Sequence, residues 1–176
     1  MTLIFPLAFS VFAMLFASQI FNYNIFGQNN NAPSDSSILG IPKNISGITC
    51  DKTEHLLYHN HTMLIIKNQD QNITIPSDIG IIPNDCIFWL HTHDDSGIIH
   101  VESPNEISFS LGQFLRVWNS FDNASIIEDI LQNKSKADIS ILLENGTVVD
   151  SVNDIVDIPL QNNAIVTLDL TNNATR

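Results

Sequence analysis

All six histidines of this 176-residue chain fall within residues 55–100, and three lie in the run His91-Thr92-His93-Asp94-Asp95-Ser96-Gly97-Ile98-Ile99-His100. Neutral imidazole is the commonest protein ligand for zinc and copper, so their confinement points to a metal site. Residues i and i+2 of a strand share a face, which aims His91 and His93 the same way. Residues 94–97 form a turn signal. A four-residue hairpin loop there would pair His93 with Ile98, His91 with His100 and Trp89 with Glu102. Opposed residues share a face with Cβ atoms about 5 Å apart. The register therefore gathers His91, His93 and His100, with Glu102 next along that face. Three imidazoles and an open position suit a catalytic or labile metal site. A slip of one residue would turn His100 to the opposite face.

A second group, His59-Asn60-His61, has the same i, i+2 spacing and shares its strand face with Met63. If this strand lies beside residues 86–93, His59 or His61 completes the shell or forms a second site. His55, just upstream, is a weaker candidate. Asp94 and Asp95 read as turn formers that can also orient imidazoles. Glu102 suits a ligand, an orienting group or a general base; in an enzyme, Glu102 or Asp94 would shuttle protons. Zinc and copper both fit. Copper binds more tightly at a given site, and Met63 leans toward it. The competing reading is a polar strand face with a hydrogen-bonded His–Asp or His–Glu network. The chain contains no Gly-rich phosphate loop, no Ser-centred nucleophile elbow and no H-E-x-x-H.

The elements that must position these residues are mostly strands. Residues 56–67 read as a strand, 68–71 as a turn and 72–75 as its returning partner. Residues 86–93 and 98–103 form the histidine hairpin. Ser110 with Gln113, a capping-box pattern, opens a helix over LGQFLRVWNSF; Ser125 with Glu128 repeats the pattern before IIEDILQ. Residues 139–143 and 147–150 flank Asn145-Gly146, a favoured hairpin turn. Residues 164–170 are a last strand. The expected fold is a small α+β domain of antiparallel hairpins with two short helices. Phe88, Trp89, Phe109, Phe114 and Trp118 are its expected aromatic core.

Net charge is -12 with only seven Lys and Arg, which argues against binding a phosphate backbone and hence nucleic acid. Residues 3–21 are almost wholly apolar, and no Lys or Arg precedes Lys43. The missing basic front and the lack of a clean small-x-small site favour an uncleaved membrane anchor over a cleaved signal peptide or a buried helix. The chain then divides into an anchor or signal (1–27), an Asn/Ser/Pro-rich linker (28–43), an extracytoplasmic domain (44–170) and a polar tail (171–176). Seven Asn-x-Ser/Thr triplets occur, at Asn44, Asn60, Asn72, Asn123, Asn133, Asn145 and Asn173, against about three expected by chance in so Asn-rich a chain. The one at Asn60 is hemmed in by histidines. Cys50 and Cys86 read as a disulfide in an exported chain, with thiolate ligation as the alternative.

With HNH at His59–His61, WLHTHDDSGIIHVESP at residues 89–104 and FSLGQFLRVW at residues 109–118, the chain resembles a family of uncharacterised exported archaeal and bacterial proteins. The resemblance covers residues 50–118. It implies a secreted or membrane-anchored single domain and no particular reaction. Over a few residues each, H-x-H with a distant His is similar to the zinc site of one class of carbonic anhydrases, and H-x-H before an acidic, Gly-containing turn to copper-zinc superoxide dismutases. The expected function is extracytoplasmic binding of copper or zinc for capture or delivery, exchanged with a metal-donor or metal-acceptor protein. The alternatives are a zinc-dependent lyase or hydrolase and a cell-envelope structural domain.

Overall fold

The structure, a computed structural model, describes residues 37–171 apart from 123, 151 and 153. The expected N-terminal anchor, most of the linker, residues 172–176 and the triplets at Asn123 and Asn173 lie outside the described residues. Among the described residues no helix is long and apolar enough to cross a membrane.

The chain builds two sheets. The smaller has the order β1-β2-β6-β5, from β1 (Asn44–Ile45), β2 (Ile48–Asp51), β5 (Ile81–Ile82) and β6 (Cys86–Phe88). The larger takes β3 (Tyr58–Asn68), β4 (Gln71–Ile73), β7 (Leu90–His91), β8 (Ile98–Ser103), β9 (Lys136–Leu142), β10 (Val148–Val149) and β11 (Ala164–Thr171). Its order is β10-β9-β11-β3-β8-β7, with β4 also on β3. Two helices, α1 (Leu111–Phe121) and α2 (Ser125–Leu131), and a 3-10 turn (Ile155–Asp157) complete the α+β fold.

Strand alternation decides what the large sheet buries. Leu64 and Ile66 of β3, Ile99 and Val101 of β8, Val166 and Leu168 of β11 and Ile141 of β9 all point into the core. Leu111, Phe114, Leu115, Val117 and Trp118 of α1 supply its helical side. Each such side chain contributes roughly 1.5–3 kcal/mol on burial. The helix begins as its spacing predicts, with the Gln113 Oε1 accepting from the Ser110 N–H at 2.9 Å. Phe88, Phe109, Phe114 and Trp118 are core. Trp89 is only half-buried and spends its indole N–H on the Asp51 carboxylate at 2.7 Å.

Four expectations need correction. First, residues 86–93 are not one strand. The Trp89 N–H donates to Thr49 O (3.1 Å) beside the small sheet, while Trp89 O accepts from Glu102 N–H (2.8 Å) in the large one. The chain changes sheets at that residue. It leaves the ladder again at Thr92, whose hydroxyl donates to Pro76 O and accepts from Ile79 N–H, so His93 does not pair with Ile98. Second, the condition set for the strand carrying His59 and His61 is met by a different neighbour: it lies beside β8, not beside residues 86–93. Third, β11 runs parallel to β3, while the other pairings are antiparallel. It reaches β3 after a crossover through the 3-10 turn rather than a hairpin. Fourth, α2 is capped by Ala124, with Ser125 already helical. The tight turn leaving α1, with Ala124 N–H on Asp122 O, starts the helix one residue early.

Residues 37–43 are held against the domain: Ile38 N–H and the Lys43 ammonium both reach the buried Asp85 carboxylate, at 2.8 and 3.1 Å. Asn44, Asn72, Asn133 and Asn145 are exposed.

Cys50 and Cys86 form a disulfide with Cα atoms 5.4 Å apart, joining β2 to β6 over a sequence separation of 36. Closing a loop of that length stabilises the fold by about 4 kcal/mol in the chain-entropy model. The Cys50→Ala/Cys86→Ala variant is expected to lose roughly 2–4 kcal/mol in urea denaturation. A midpoint unmoved by the substitution or by reductant would contradict a structural role for the bond.

Candidate metal centre

Two pairing registers put three imidazoles in one row. β3 pairs with β8 so that His61 faces His100, and β8 pairs with β7 so that His100 faces His91. In the next row His59 faces Glu102. The intervening residues, Thr62, Ile99 and Val101, are buried on the core side, so the rows stand on the opposite face. His93, two residues beyond His91, leans back over the row: its ring lies 4.8 Å from that of His91 and 4.5 Å from that of His100. All five histidines expected to bind metal, and Glu102, therefore meet.

One end of the cluster is roofed. His91 is fully buried. A crevice lined by Thr53, Glu54, His55 and Trp89 covers His91 and Glu102 and admits no water-sized sphere. On the other side Gly80 passes so close that a Cβ there would meet Leu90 O at 2.6 Å and His91 Cβ at 3.0 Å; its φ of +79° likewise suits only glycine. The opposite end is open: the side chains of His59 and His93 are 38% and 44% exposed.

Hydrogen bonding fixes which nitrogen of His91 is free. Its Nδ1 lies 2.9 Å from Phe88 O. A carbonyl only accepts, so Nδ1 carries the proton and Nε2 keeps its lone pair. This is the arrangement in which a backbone carbonyl orients a metal-binding imidazole. The free His91 Nε2 lies 3.2 Å from His93 Nε2. Likewise His61 Nε2 lies 3.1 Å from both His59 Nε2 and His100 Nδ1. A ring nitrogen offers a proton or a lone pair, never both, so His61 Nε2 cannot donate to one neighbour and accept from the other. A tetrahedral ion with bonds of about 2.0–2.1 Å holds its ligand atoms roughly 3.3 Å apart. These nitrogens already stand at that spacing. The ligand atoms of His91, His93, His100 and Glu102 all lie within 4.8 Å of one another, as do those of His59, His61 and His100.

Glu102 is buried, with Oε1 3.3 Å from His59 Nε2 and 3.7 Å from His100 Nδ1. Its Oε2 has no hydrogen-bond partner. Burial, helped by Glu54, pushes its carboxyl above the ordinary value. Sequence reasoning missed Glu54, whose Oε1 lies 3.5 Å from His93 Nε2; no spacing pattern links it to the histidines. Asp94 is a turn former: its Oδ1 accepts from Ser96 N–H at 2.9 Å. The Ser96 bonds hold its carboxyl below the usual range. Asp95 is exposed in the same turn. His55 stands apart, with Nε2 2.7 Å from the Asp51 carboxylate that also receives Trp89. Met63 is one rung beyond His61, opposite Ile98. Neither cysteine is available as a ligand.

Burial and mutual repulsion keep His61, His91 and His100 neutral. His91 is lowered to about 3, mainly by burial. His100 is lowered to about 4, by burial and then by His93 and His61. His61 is lowered by burial and then by His59 and His93. At neutral pH each of these imidazoles is uncharged, with one ring nitrogen protonated and the other offering a lone pair.

No protein-family model, curated protein or solved structure matches the chain.

The depressed values make stability depend on pH. The unfolded chain protonates these histidines near 6.5, whereas folded His91 and His100 resist protonation down to about 3 and 4. Between those values the unfolded state binds more protons, so stability is full above pH 7 and falls as pH drops below 6.5. The slope is up to about 1.4 kcal/mol per pH unit for each such histidine. Raised Glu102 works in the opposite direction with a single proton. Urea midpoints of the metal-free protein should therefore fall between pH 7 and 4.5, and the fall should shrink in His91→Leu. A flat profile would contradict the burial argument.

Proposed function

We propose that this domain binds a transition metal ion, copper or zinc, through His91, His93, His100 and Glu102, outside the cytoplasm, and captures it or passes it to a partner protein. The observation that carries the reading is the locked tautomer of His91: a buried imidazole whose Nδ1–H is fixed on Phe88 O, with its lone pair turned toward other imidazoles. The disulfide supports a location outside the reducing cytoplasm. The N-terminal apolar segment would hold the domain at the membrane, and the acidity of the chain leaves nucleic acid out of account.

Capture or delivery is favoured over hydration chemistry by the way exposure is distributed. The buried end is closed to water-sized molecules, and the ligands beyond it are exposed imidazoles rather than walls of a substrate cavity. Such ligands are reachable by a second protein's ligands, as metal transfer requires. Copper and zinc both suit neutral imidazole, with copper the tighter at a given site.

The test is elemental mass spectrometry on the full chain, purified without an affinity tag and loaded separately with copper and with zinc. The wild type should retain at least one equivalent after desalting. His91→Ala/His93→Ala should weaken binding at this set by more than the roughly 100-fold expected for loss of an orienting group. His55→Ala should bind as wild type. Metal content unchanged in the His91/His93 variant would sink the assignment.

A further inference from the structure

The two ligand groups at this site are not alternatives. His91, His93, His100 and Glu102 form one, His59, His61 and His100 form the other, and His100 belongs to both. We propose that the cluster is a dinuclear centre, with a second metal ion held by His59 and His61 and joined to the first through His100 and the Glu102 carboxylate. This rests on the metal-binding reading above and deepens it.

Ligand number comes first. Five imidazoles and a carboxylate are more than one four-coordinate ion can use. A first ion on His91, His93, His100 and Glu102 is complete, yet it leaves His59 Nε2 and His61 Nε2 facing each other at 3.1 Å. That spacing fits two ligands of one ion, and neither histidine is buried deeply enough to be explained by packing.

The bridging groups are placed for the task. His100 sits in the middle of the His61–His100–His91 row. Its Nδ1 faces His61 Nε2 at 3.1 Å, while its ring stacks on His91 with centroids 5.3 Å apart and meets His93 edge to face. The imidazole thus touches ligands of both groups, and to join two ions through Nδ1 and Nε2 it would release its remaining ring proton to solvent as the second ion binds. Glu102 offers two oxygens: Oε1 lies 3.3 Å from His59 Nε2, and the buried Oε2 has no partner. A carboxylate shared between two cations would occupy both.

Charge also favours two ions. Imidazole ligands bring no negative charge to offset two divalent ions, but Glu102, Glu54 at 3.5 Å from His93, and Asp94, whose charge acts on His100, supply carboxylates at the cluster. Lys43 and Lys52 are engaged with Asp85.

The experiment uses copper(II) as the probe on the full chain, with copper content measured by elemental mass spectrometry and paramagnetism by electron spin resonance. The expected wild type holds two equivalents with an attenuated spin signal, because the shared ligands couple the two ions. His59→Ala/His61→Ala should hold one equivalent, with a full signal from one isolated ion. His100→Ala should weaken both equivalents; Glu102→Gln, which keeps the side-chain shape, should restore part of the uncoupled signal. A cooperative urea transition in each variant checks that it folds. One equivalent in the wild type, unchanged by His59→Ala/His61→Ala, would overturn the dinuclear centre and leave the mononuclear reading intact. Two equivalents with full, uncoupled spin, or loss of only one equivalent in His100→Ala, would overturn the sharing. No retained copper or zinc at all would overturn the metal-binding reading itself.

Discussion

Everything at this site depends on the register of β8, which is held from both sides. On one side it pairs His100 with His91, on the other with His61. A slip of one residue on either side would send His100 into the core and Ile99 or Val101 out of it, so the apolar face that packs on α1 also enforces the ligand row. Gly97 guards the start of the strand. Its carbonyl accepts from Leu64 N–H at 2.9 Å, and a Cβ at this left-handed position (φ +84°) would lie 2.5 Å from Leu64 O. The turn that delivers β8 thus fits closely only with glycine at its end. The small sheet fixes the remaining strand: the disulfide holds β6 to β2, β6 leads through Trp89 into β7, and His91 is locked three residues downstream of Phe88.

The energetics of the cluster follow from its asymmetry. At the buried end, solvent is excluded and the protonated form of His91 is strongly disfavoured. Further out, each imidazole also suppresses protonation of the others. A row of buried or half-buried polar groups kept from ionising and bonded mainly to one another is costly to hold together. The rest of the domain sustains it through the apolar core beneath and the disulfide-bonded sheet beside it. Here the lone pair of His91 Nε2 faces His93, His61 Nε2 stands between two ring nitrogens, and an unpartnered carboxylate oxygen lies among them.

Much of this was legible in the chain, for reasons that differ by residue. The His91–His100 opposition follows from local signals: a turn of Asp, Ser and Gly, and strands whose apolar alternation allows one register. The start of α1 is an equally local inference, whereas the Cys50–Cys86 bond, spanning 36 residues, follows from there being a single cysteine pair in a chain read as exported. The neighbour of β3 was not legible, because nothing in residues 58–68 encodes whether they pair with residues 86–93 or with 98–103. The parallel pairing of β11 is hidden for the same reason: alternation identifies a strand but not its partner. The break at Trp89 escapes sequence reading because CIFWLHTH is β-forming throughout. The change of sheet is visible only as backbone bonds running to Thr49 on one side and Glu102 on the other. Trp89 looked like core because its ring is large and apolar; its N–H, drawn to Asp51, brings it to the margin of the site.

Metal binding at this cluster, as proposed, would be tied to folding. An ion that binds the folded cluster and not the unfolded chain adds RT ln(1 + [L]/Kd) to stability, about 2.7 kcal/mol at a free concentration one hundred times Kd. Most of that gain arises where ligands are already fixed: His91 by Phe88 O, His100 by pairing on both sides, Glu102 by burial. His93 and His59 are held least, being exposed and at the ends of their rows. They are the ligands that can swing away first and admit a competing ligand while the buried set keeps its grip. An ion would therefore arrive and depart by stepwise exchange at the open face, without opening the core. In the proposed role, this separation of a rigid end from a yielding end is what transfer between proteins would use, and it arises from one segment that leaves β6 of the disulfide-bonded sheet at Trp89 and enters β7 at the edge of the other.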